Sequence, residues 1–300
     1  MSTTTSGPRT PVAAGRAARP APARRPRPRI GATTVVTYVV ALVVALFSIG
    51  PVVYAVLGGF RDNGQIAADP VALPDPWVFE KYQLVLTSPD FWRQVLNSTL
   101  VAGLTTTIVT VLGVMAAFAL SKYRFRGREA LYTFFTLGLL FPLTVAILPL
   151  FILVRSLDLL NNPLGVALPQ AAFALPVTIV ILRPFLRALP QELEDAAMID
   201  GCSKLGYFRR IVIPLSGPGM VTVGVLAFVA SWNAYLLPLL VLGDGDSYTL
   251  PLGTANFSTQ YTSDTAAILA FTSLAMIPAL VFFLLAERRI VGGLSGAVKG

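Results

Sequence analysis

The sequence predicts an all-α membrane protein with six transmembrane helices, and three observations support this fold class. First, 55% of the 300 residues are hydrophobic and only 13% are charged, whereas soluble domains are about a quarter charged. Second, six stretches contain no charged residue, and each exceeds the ~20 residues that a helix needs to cross ~30 Å of hydrocarbon. Third, the lysines and arginines are distributed unevenly between the loops.

Residues 1–29 form a basic tail that precedes the first uncharged stretch. They contain seven arginines, many prolines and alanines, and no acidic residue. A segment of this composition lacks the apolar surface needed to fold alone, so we predict a disordered cytoplasmic tail. The apolar run that follows is longer than the 7–15 residues of a signal-peptide core and is predicted to be an uncleaved first span.

The uncharged stretches are predicted to form one domain, residues 30–290, whose core is the last five spans at about 94–287. In chain order the stretches are Ile30–Phe60, Gln94–Ser121, Ala130–Val154, Leu159–Leu182, Ile211–Gly243 and Thr265–Ala286. Neighbouring helices in a bundle can accommodate prolines inside such spans. The prolines considered are Pro51, Pro142, Pro149, Pro176 and Pro278.

The loop charges predict how the spans are oriented in the bilayer. With the N-terminus in the cytoplasm, 19 of the 23 lysines and arginines fall on the cytoplasmic side, as the positive-inside rule requires. Because six is an even number, both termini are then predicted to be cytoplasmic. The net charge of +8 therefore reflects membrane topology and does not indicate nucleic acid as a partner; the predicted surroundings are membrane lipid.

The residue inventory excludes several kinds of chemistry. The chain has one cysteine, Cys202, and no histidine, which excludes an internal disulfide, a cysteine/histidine zinc site and histidine-dependent catalysis. None of the four lysines follows a glycine, so no P-loop is present to hold the phosphates of ATP. We predict no catalytic residue, no metal ligand and no cofactor bound by this chain.

A charged passage between two apolar runs, residues 190–214, is predicted to form a helical hairpin on the cytoplasmic side. Pro190 suits a helix start, Gly201 suits a helix stop, and Ser203 can cap a second short helix. Ala196 and Ala197 are small and would let another backbone approach closely. The passage is either a solvated loop with ordinary capping or a docking surface for a cytoplasmic partner.

Polar and aromatic side chains within the spans are candidates for a translocation path. The spans contain no charged residue, which suits a neutral, hydroxyl-rich solute better than a proton relay. Amides can bond hydroxyl groups and aromatic faces can stack on sugar rings, although aromatic residues here can equally be interface anchors or packing residues. The candidates are Asn97, Ser98, Trp232, Asn233 and Tyr235.

The run DAAMIDGCSKLGYFRRIVIP, from Asp195 to Pro214, resembles the EAA loop of bacterial ABC-importer permeases. That loop reads Glu-Ala-Ala, three residues, Gly, nine residues, then Ile-x-Leu-Pro. The chain matches it at Ala196, Ala197, Gly201, Ile211 and Pro214. Asp195 replaces the usual glutamate, with Glu194 adjacent, and Ile213 replaces the usual leucine.

Three further stretches, LPQELEDAAMIDG, SWNAYLLPLLVL and RRIVGGLSGAVKG, resemble carbohydrate permeases, in particular the maltose-type second permease subunit. The resemblance covers about Arg29 to Gly300. It implies a type I ABC importer permease fold in the bacterial plasma membrane. It also implies a second permease as heterodimer partner, two ATPase subunits that use the ATP, and an extracytoplasmic sugar-binding protein.

The same resemblance implies two contact regions for the ATPases. The hairpin would be the coupling helix, through Glu194, Asp195, Ala196, Ala197, Asp200, Gly201, Ile211 and Pro214. The cytoplasmic tail at residues 291–300 would reach between the ATPases through Gly292, Gly293, Gly296 and Gly300. The alternatives are a single-chain secondary transporter or channel for a neutral solute, which leaves the hairpin unexplained, and a membrane-embedded enzyme, which lacks histidine and paired intramembrane carboxylates.

Overall fold

The computed structural model describes residues 32–259 and 261–297, where the regular structure is helical apart from one isolated bridge between Ser258 and Ser263. The described residues up to Ile49 and those from Gly50 onwards belong to separate compact units, and the basic tail lies outside the described residues. In chain order the α-helices are α1 (Ala32–Gly58), α2 (Asn63–Ala68), α3 (Glu80–Thr87), α4 (Pro89–Lys122), α5 (Arg128–Gly138), α6 (Leu143–Ser156), α7 (Pro163–Arg187), α8 (Gln191–Ile199), α9 (Lys204–Tyr207), α10 (Ile213–Leu215), α11 (Gly217–Trp232), α12 (Leu236–Val241), α13 (Leu250–Gly253) and α14 (Thr265–Ala297).

Each of the six uncharged stretches corresponds to one candidate span. Four helices are long and apolar enough to cross a bilayer without a break: Thr34–Gly58 in α1, all of α4 and α7, and Thr265–Leu285 in α14. Two more spans are bent pairs, α5 with α6 at 98° and Lys204–Leu215 with α11 at 73°. Counting each bent pair as one span, the predicted all-α, six-span architecture is confirmed.

The bend between α5 and α6 falls at Pro142, which the sequence placed inside an unbroken span. The amides of Leu139, Leu140 and Phe141 bond to carbonyls three residues earlier, so the helix tightens before it ends. Pro142 itself is extended, with φ −75° and ψ 132°, and the residue before a proline disfavours the helical region. The other prolines considered lie within continuous helices, as the sequence predicted.

The centre of the bundle is the pair α4 and α7, against which α11 packs, and α14 packs on α11. Midway along the pair, Val109, Ala171 and Ala227 are each at most 4% exposed. A β-carbon added at Gly113 would collide with the side chain of Thr178. Small residues let membrane helices approach closely, and dispersion contacts rather than burial from water then hold them together.

Helix α4 connects the two ends of the bundle. It has 34 residues, so at 1.5 Å per residue it is about 50 Å long and extends beyond ~30 Å of hydrocarbon. Its first turns contact α3 and α13, and its last turns contact α5 and the hairpin. A displacement at the hairpin can therefore be carried along one helix to the opposite end of the bundle.

The opposite end of the bundle is held together by an ion pair between α3 and the start of α14. The Nζ atom of Lys81 lies 2.7 Å from the carboxylate of Asp264. That carboxylate also accepts hydrogen bonds from the side chain of Asn63 (3.1 Å) and the amide of Ala267 (3.0 Å). The short helix α3 is thus tied to the last span.

Helix α14 extends beyond the predicted span, which ends at Ala286, and its backbone is helical as far as Ala297. Gly292, Gly293 and Gly296 lie within this helix rather than in an extended tail, and Gly300 lies outside the described residues. A glycine inside a helix costs about 1 kcal/mol relative to alanine, which weakens the helix without ending it.

Candidate functional site

The hairpin at residues 190–214 is built around a left-handed turn at Gly201, where φ is +78°. The amide of Gly201 donates to the carbonyl of Met198 (3.1 Å), and the amide of Cys202 donates to the carbonyl of Ala197 (2.9 Å). This pair of bonds is the Schellman pattern that terminates a helix. A residue with a β-carbon is disfavoured at this φ, so the helix stop predicted at Gly201 has a direct backbone cause.

The second arm of the hairpin begins at Ser203, as the sequence predicted. The Ser203 hydroxyl accepts a hydrogen bond of 3.1 Å from the amide of Gly206 and so caps α9. A π-helical turn, Phe208–Val212, then leads into α10 and towards α11. The loop is therefore capped at both helix ends and has a defined conformation.

The inner face of the hairpin packs into a hydrophobic cluster with the last turns of α4 and α7. Residues from both arms and both helices contribute, together with the start of α11. The buried members are Val114, Ala117, Phe118, Leu182, Leu186, Ala197, Tyr207, Phe208, Val212 and Val223. Ile211 is half-buried against the same cluster. The hairpin is therefore attached rigidly to the bundle core.

The two alanines of the hairpin have different environments. Ala196 is exposed, as expected of a docking surface, but Ala197 is only 6% exposed and belongs to the inner cluster. The prediction that both lie on the outer surface is wrong for Ala197. Consecutive residues of a helix point about 100° apart, so only one of the pair can face outwards here.

The outer face of the hairpin carries an exposed apolar tip, formed by Met198, Ile199 and Leu205. Ile199 is 86% exposed and Leu205 is 65% exposed. Asp195 and Asp200 are exposed beside the tip, and Pro214 is exposed at the base of the second arm. An apolar patch with a polar rim is characteristic of a protein interaction site.

The acidic residues at the start of α8 lie close together. The side-chain amide of Gln191 donates to the carboxylates of Glu194 (3.3 Å) and Asp195 (3.4 Å). Glu194 is half-buried whereas Asp195 is exposed, so Asp195 is the carboxylate more accessible to a partner. Negative charge at this position is favoured by the positive end of the helix dipole.

Two basic side chains near the base of the hairpin join helices of the bundle, and sequence analysis assigned neither a role. Lys122, the last residue of α4, donates a hydrogen bond of 2.8 Å to the carbonyl of Leu189, just before the hairpin. Arg183 lies in α7 and is 5% exposed, although the sequence placed it in a loop. It donates to the carbonyl of Leu120 (3.1 Å) and to the carboxylate of Glu129 (2.6 Å).

A groove of about 630 Å³ opens between α4, α7 and α11. Its walls are mostly apolar and uncharged, and three polar side chains meet there. The side-chain oxygen of Gln170 accepts hydrogen bonds from the hydroxyls of Ser231 (2.6 Å) and Thr105 (3.1 Å). Tyr235 is exposed and also lines the groove. Sequence analysis missed the three polar residues, because nothing in the sequence shows that their side chains face one another across α4, α7 and α11.

The other candidate path residues are distributed differently. The Asn97 amide donates to the carbonyls of Asp246 (2.9 Å) and Tyr248 (3.0 Å). The Ser98 hydroxyl is buried and accepts a bond of 2.8 Å from the amide of Leu250. Both side chains therefore anchor the segment that follows α12, and the groove between α4, α7 and α11 does not include them.

The remaining two candidates face a second groove, of about 570 Å³, beside α14. Trp232 is 3% exposed and stacks near Phe228, with ring centroids 5.6 Å apart. It therefore acts mainly as a packing residue, which was the alternative considered for it. Asn233 is exposed but its amide donates 2.8 Å back to the carbonyl of Val229 in the preceding turn.

A family model described as a binding-protein-dependent transport system inner membrane component matches residues 109–291, which include the hairpin and the two bent spans. This chain belongs to that family. It is 33% identical over 262 residues to a diacetylchitobiose uptake system permease protein of Streptomyces coelicolor, covering 87% of each chain. It is 38% identical over 231 residues to a trehalose transport system permease protein of Mycobacterium tuberculosis, covering 76% of this chain and 84% of the other.

The fold of this inner membrane component is also found in solved structures. A chain from the crystal structure of a bacterial ABC transporter that imports alginate superimposes with a TM-score of 0.74 at 22% identity, covering 85% of this chain and 95% of the other. The inner membrane component thus has the type I ABC importer permease fold that the resemblance of the hairpin implied. It is a multi-pass membrane protein of the transport class.

Proposed function

We propose that the protein is the membrane-spanning permease subunit of an ATP-driven carbohydrate importer, and that its hairpin docks on a separate ATPase. The observation that carries this proposal is the hairpin itself: an exposed apolar tip, held by a Schellman turn, on a segment packed into the core. A solvated loop would not need an inner face whose buried residues, Ala197, Tyr207, Phe208 and Val212, pack on the ends of α4 and α7. Sugar as the substrate class is supported by the related permeases of diacetylchitobiose and trehalose.

The proposal includes an orientation in which the hairpin and both termini are cytoplasmic. The hairpin lies next to Lys122, Arg183, Arg187 and the two arginines of its own second arm. The opposite end of the bundle carries few basic residues. The positive-inside rule therefore supports this orientation in a bacterial plasma membrane.

The partners in this proposal are a second permease, two ATPase subunits and an extracytoplasmic sugar-binding protein. The chain has no P-loop lysine, so hydrolysis would take place on the partner ATPases and this chain would bind no cofactor. The description of its family as binding-protein-dependent supports the external binding protein. Residues Gly292–Gly296 are proposed as a further ATPase contact. In the structure they form part of the helical end of α14 rather than an extended tail.

The groove between α4, α7 and α11 is the proposed wall of the translocation path. It is uncharged, offers the polar group formed by Thr105, Gln170 and Ser231, and has Tyr235 at its edge. Neutral amide and hydroxyl groups suit a neutral, hydroxyl-rich solute. A second permease facing this groove would complete the path.

To test the proposal, the chain is co-expressed with a second permease, an ATPase and a binding protein encoded by neighbouring genes. The complex is then reconstituted in lipid vesicles. We expect hydrolysis of ATP to rise when the binding protein and its sugar are added, with accumulation of labelled sugar. Uptake by this chain alone, driven by an ion gradient and without ATP, would instead identify a secondary transporter and overturn the proposal.

A further inference from the structure

We propose that Arg183 is a positioning residue that transmits movement of the hairpin to α5, the first half of the bent span. The inference rests on the proposed function of the hairpin as the ATPase docking site. Arg183 lies where the end of α4, the start of α5 and the part of α7 that packs in the hairpin cluster come together.

Arg183 is linked to the hairpin through its neighbours in α7. Its neighbours in α7, Leu182 and Leu186, are fully buried in the same cluster as Tyr207 and Phe208 of the hairpin. The Nε atom of Arg183 is fixed by the carbonyl of Leu120 at the end of α4. A displacement of the hairpin that shifts this part of α7 would therefore also shift the guanidinium group.

The guanidinium group of Arg183 contacts α5 directly. One guanidinium nitrogen lies 2.6 Å from the carboxylate of Glu129, in the first turn of α5. The guanidinium carbon lies 3.9 Å from the ring centroid of Tyr132, one turn later. A planar guanidinium can donate hydrogen bonds from its edge while its face stacks on a ring, a geometry that the compact ammonium group of lysine does not reproduce.

The start of α5 is held by polar contacts, since Arg128 also donates to the carbonyl of Tyr123 (3.4 Å). None of its residues from Arg128 to Gly138 is buried, in contrast to α4 and α7. At its far end Gly138 lies against Pro176 of α7. Because α5 has no fully buried residue and its first turn is anchored by polar contacts, it can follow Arg183 as a rigid unit about the bend at Pro142.

This arrangement gives the bent span a mechanical role. α5 ends beside an aromatic groove that includes Phe134, Phe141 and Phe173, and Phe173 is shared with the proposed path groove. A pull on the first turn of α5 would therefore change the shape of the path. Arg183 would make the opening of the path depend on docking of the ATPase.

The test compares Arg183→Met and Glu129→Ala with Arg187→Met in the reconstituted complex. Arg187 is exposed one turn further along α7 and controls for loss of one positive charge. Glu129 has a side chain that is 61% exposed, so its replacement should leave the fold intact even if Arg183→Met does not. The readouts are co-purification of the ATPase, ATP hydrolysis and sugar imported per ATP.

We expect both variants at the contact to retain the ATPase and to hydrolyse ATP, while sugar imported per ATP falls at least fivefold. Arg183→Lys should restore only part of the loss, because it keeps the charge but not the guanidinium geometry. A normal amount of sugar imported per ATP in Glu129→Ala would overturn the inference. So would a fall in uptake that is fully explained by loss of assembled complex. An ATPase that does not bind the wild-type chain would instead refute the docking proposal itself.

Discussion

The amide of Cys202 donates a hydrogen bond of 2.9 Å to the carbonyl of Ala197, across the left-handed residue Gly201. This single contact fixes the angle between the two arms of the hairpin. It also explains why the residue between them is glycine, since a β-carbon there costs roughly 1–2 kcal/mol. The geometry of the exposed tip therefore depends on one backbone conformation.

Replacement of Gly201 should disturb this turn, and the effect should be larger for the residue that is less able to adopt φ +78°. Gly201→Ala is expected to lower sugar uptake and ATPase co-purification several-fold. Gly201→Pro should abolish both, because proline cannot adopt φ +78° and lacks the amide that bonds Met198. Gly103→Ala is the control, because a β-carbon there meets no neighbouring atom. Normal uptake in the proline variant would show that the turn has no role.

Substitutions at Ala196 and Ala197 should affect different properties, with Ala197 affecting the stability of the fold and Ala196 affecting ATPase binding. Ala197→Leu places extra volume in the buried cluster and is expected to lower the melting temperature of the protein in detergent, at a cost of about 1–3 kcal/mol. Ala196→Trp adds volume on the exposed face, so it should leave the melting temperature unchanged and reduce ATPase co-purification. The docking surface would be misplaced if Ala196→Trp bound the ATPase normally.

Most of the fold was predictable because charge and hydropathy are local properties of the sequence. The absence of charged residues located the six spans, and Gly201 and Ser203 located the hairpin turn. The break at Pro142 was not predictable, since Pro176 lies in a continuous helix. Whether a proline interrupts a membrane helix depends on the neighbours that satisfy the freed backbone groups.

The site was predictable only where its residues are close in sequence. Arg183 bonds Glu129 54 residues away, and Gln170 bonds Ser231 61 residues away. A polar side chain gives no signal in the sequence of a partner so far along the chain. The inward direction of Ala197 was missed for a related reason, since the exposed face of α8 is decided by its contacts with Tyr207 and the bundle.

The polar group in the groove should matter for transport more than for assembly. Gln170→Leu removes the acceptor shared by Thr105 and Ser231, leaving two buried hydroxyls with poorer partners, at about 1–3 kcal/mol. We expect uptake to fall at least fivefold with the ATPase still bound. Thr107→Val is the matched control, because that hydroxyl bonds only its own helix, at the carbonyl of Gly103. Equal uptake by the two variants would contradict the proposed path.

The ion pair of Lys81 and Asp264 should make stability depend on pH. Partial burial raises the pKa of Asp264, but hydrogen bonds from Lys81, the Ala267 amide and Asn63 lower it, and the net pKa lies below the ordinary value of 3.8. The stabilisation is therefore complete well above pH 3.8 and is lost as the pH falls through the folded-state pKa.

Melting temperatures of the wild type and Asp264→Asn, measured in detergent from pH 7 to pH 3, would check this dependence. The wild type should melt higher at neutral pH, and the difference should shrink below about pH 3.8, as expected for an ionised aspartate. Lys81→Met should show the same loss at neutral pH. A difference that stays constant down to pH 3 would show that the carboxylate charge is not the cause.

The most direct test of the docking surface is site-specific photo-crosslinking from the hairpin tip in the assembled, transporting complex. A photoreactive residue at Ile199, which is 86% exposed, should crosslink to the ATP-hydrolysing subunit. The same residue at Val71, 83% exposed in the segment between α2 and α3, should not. A transport-competent complex in which Ile199 gives no crosslink to the ATPase would contradict the account.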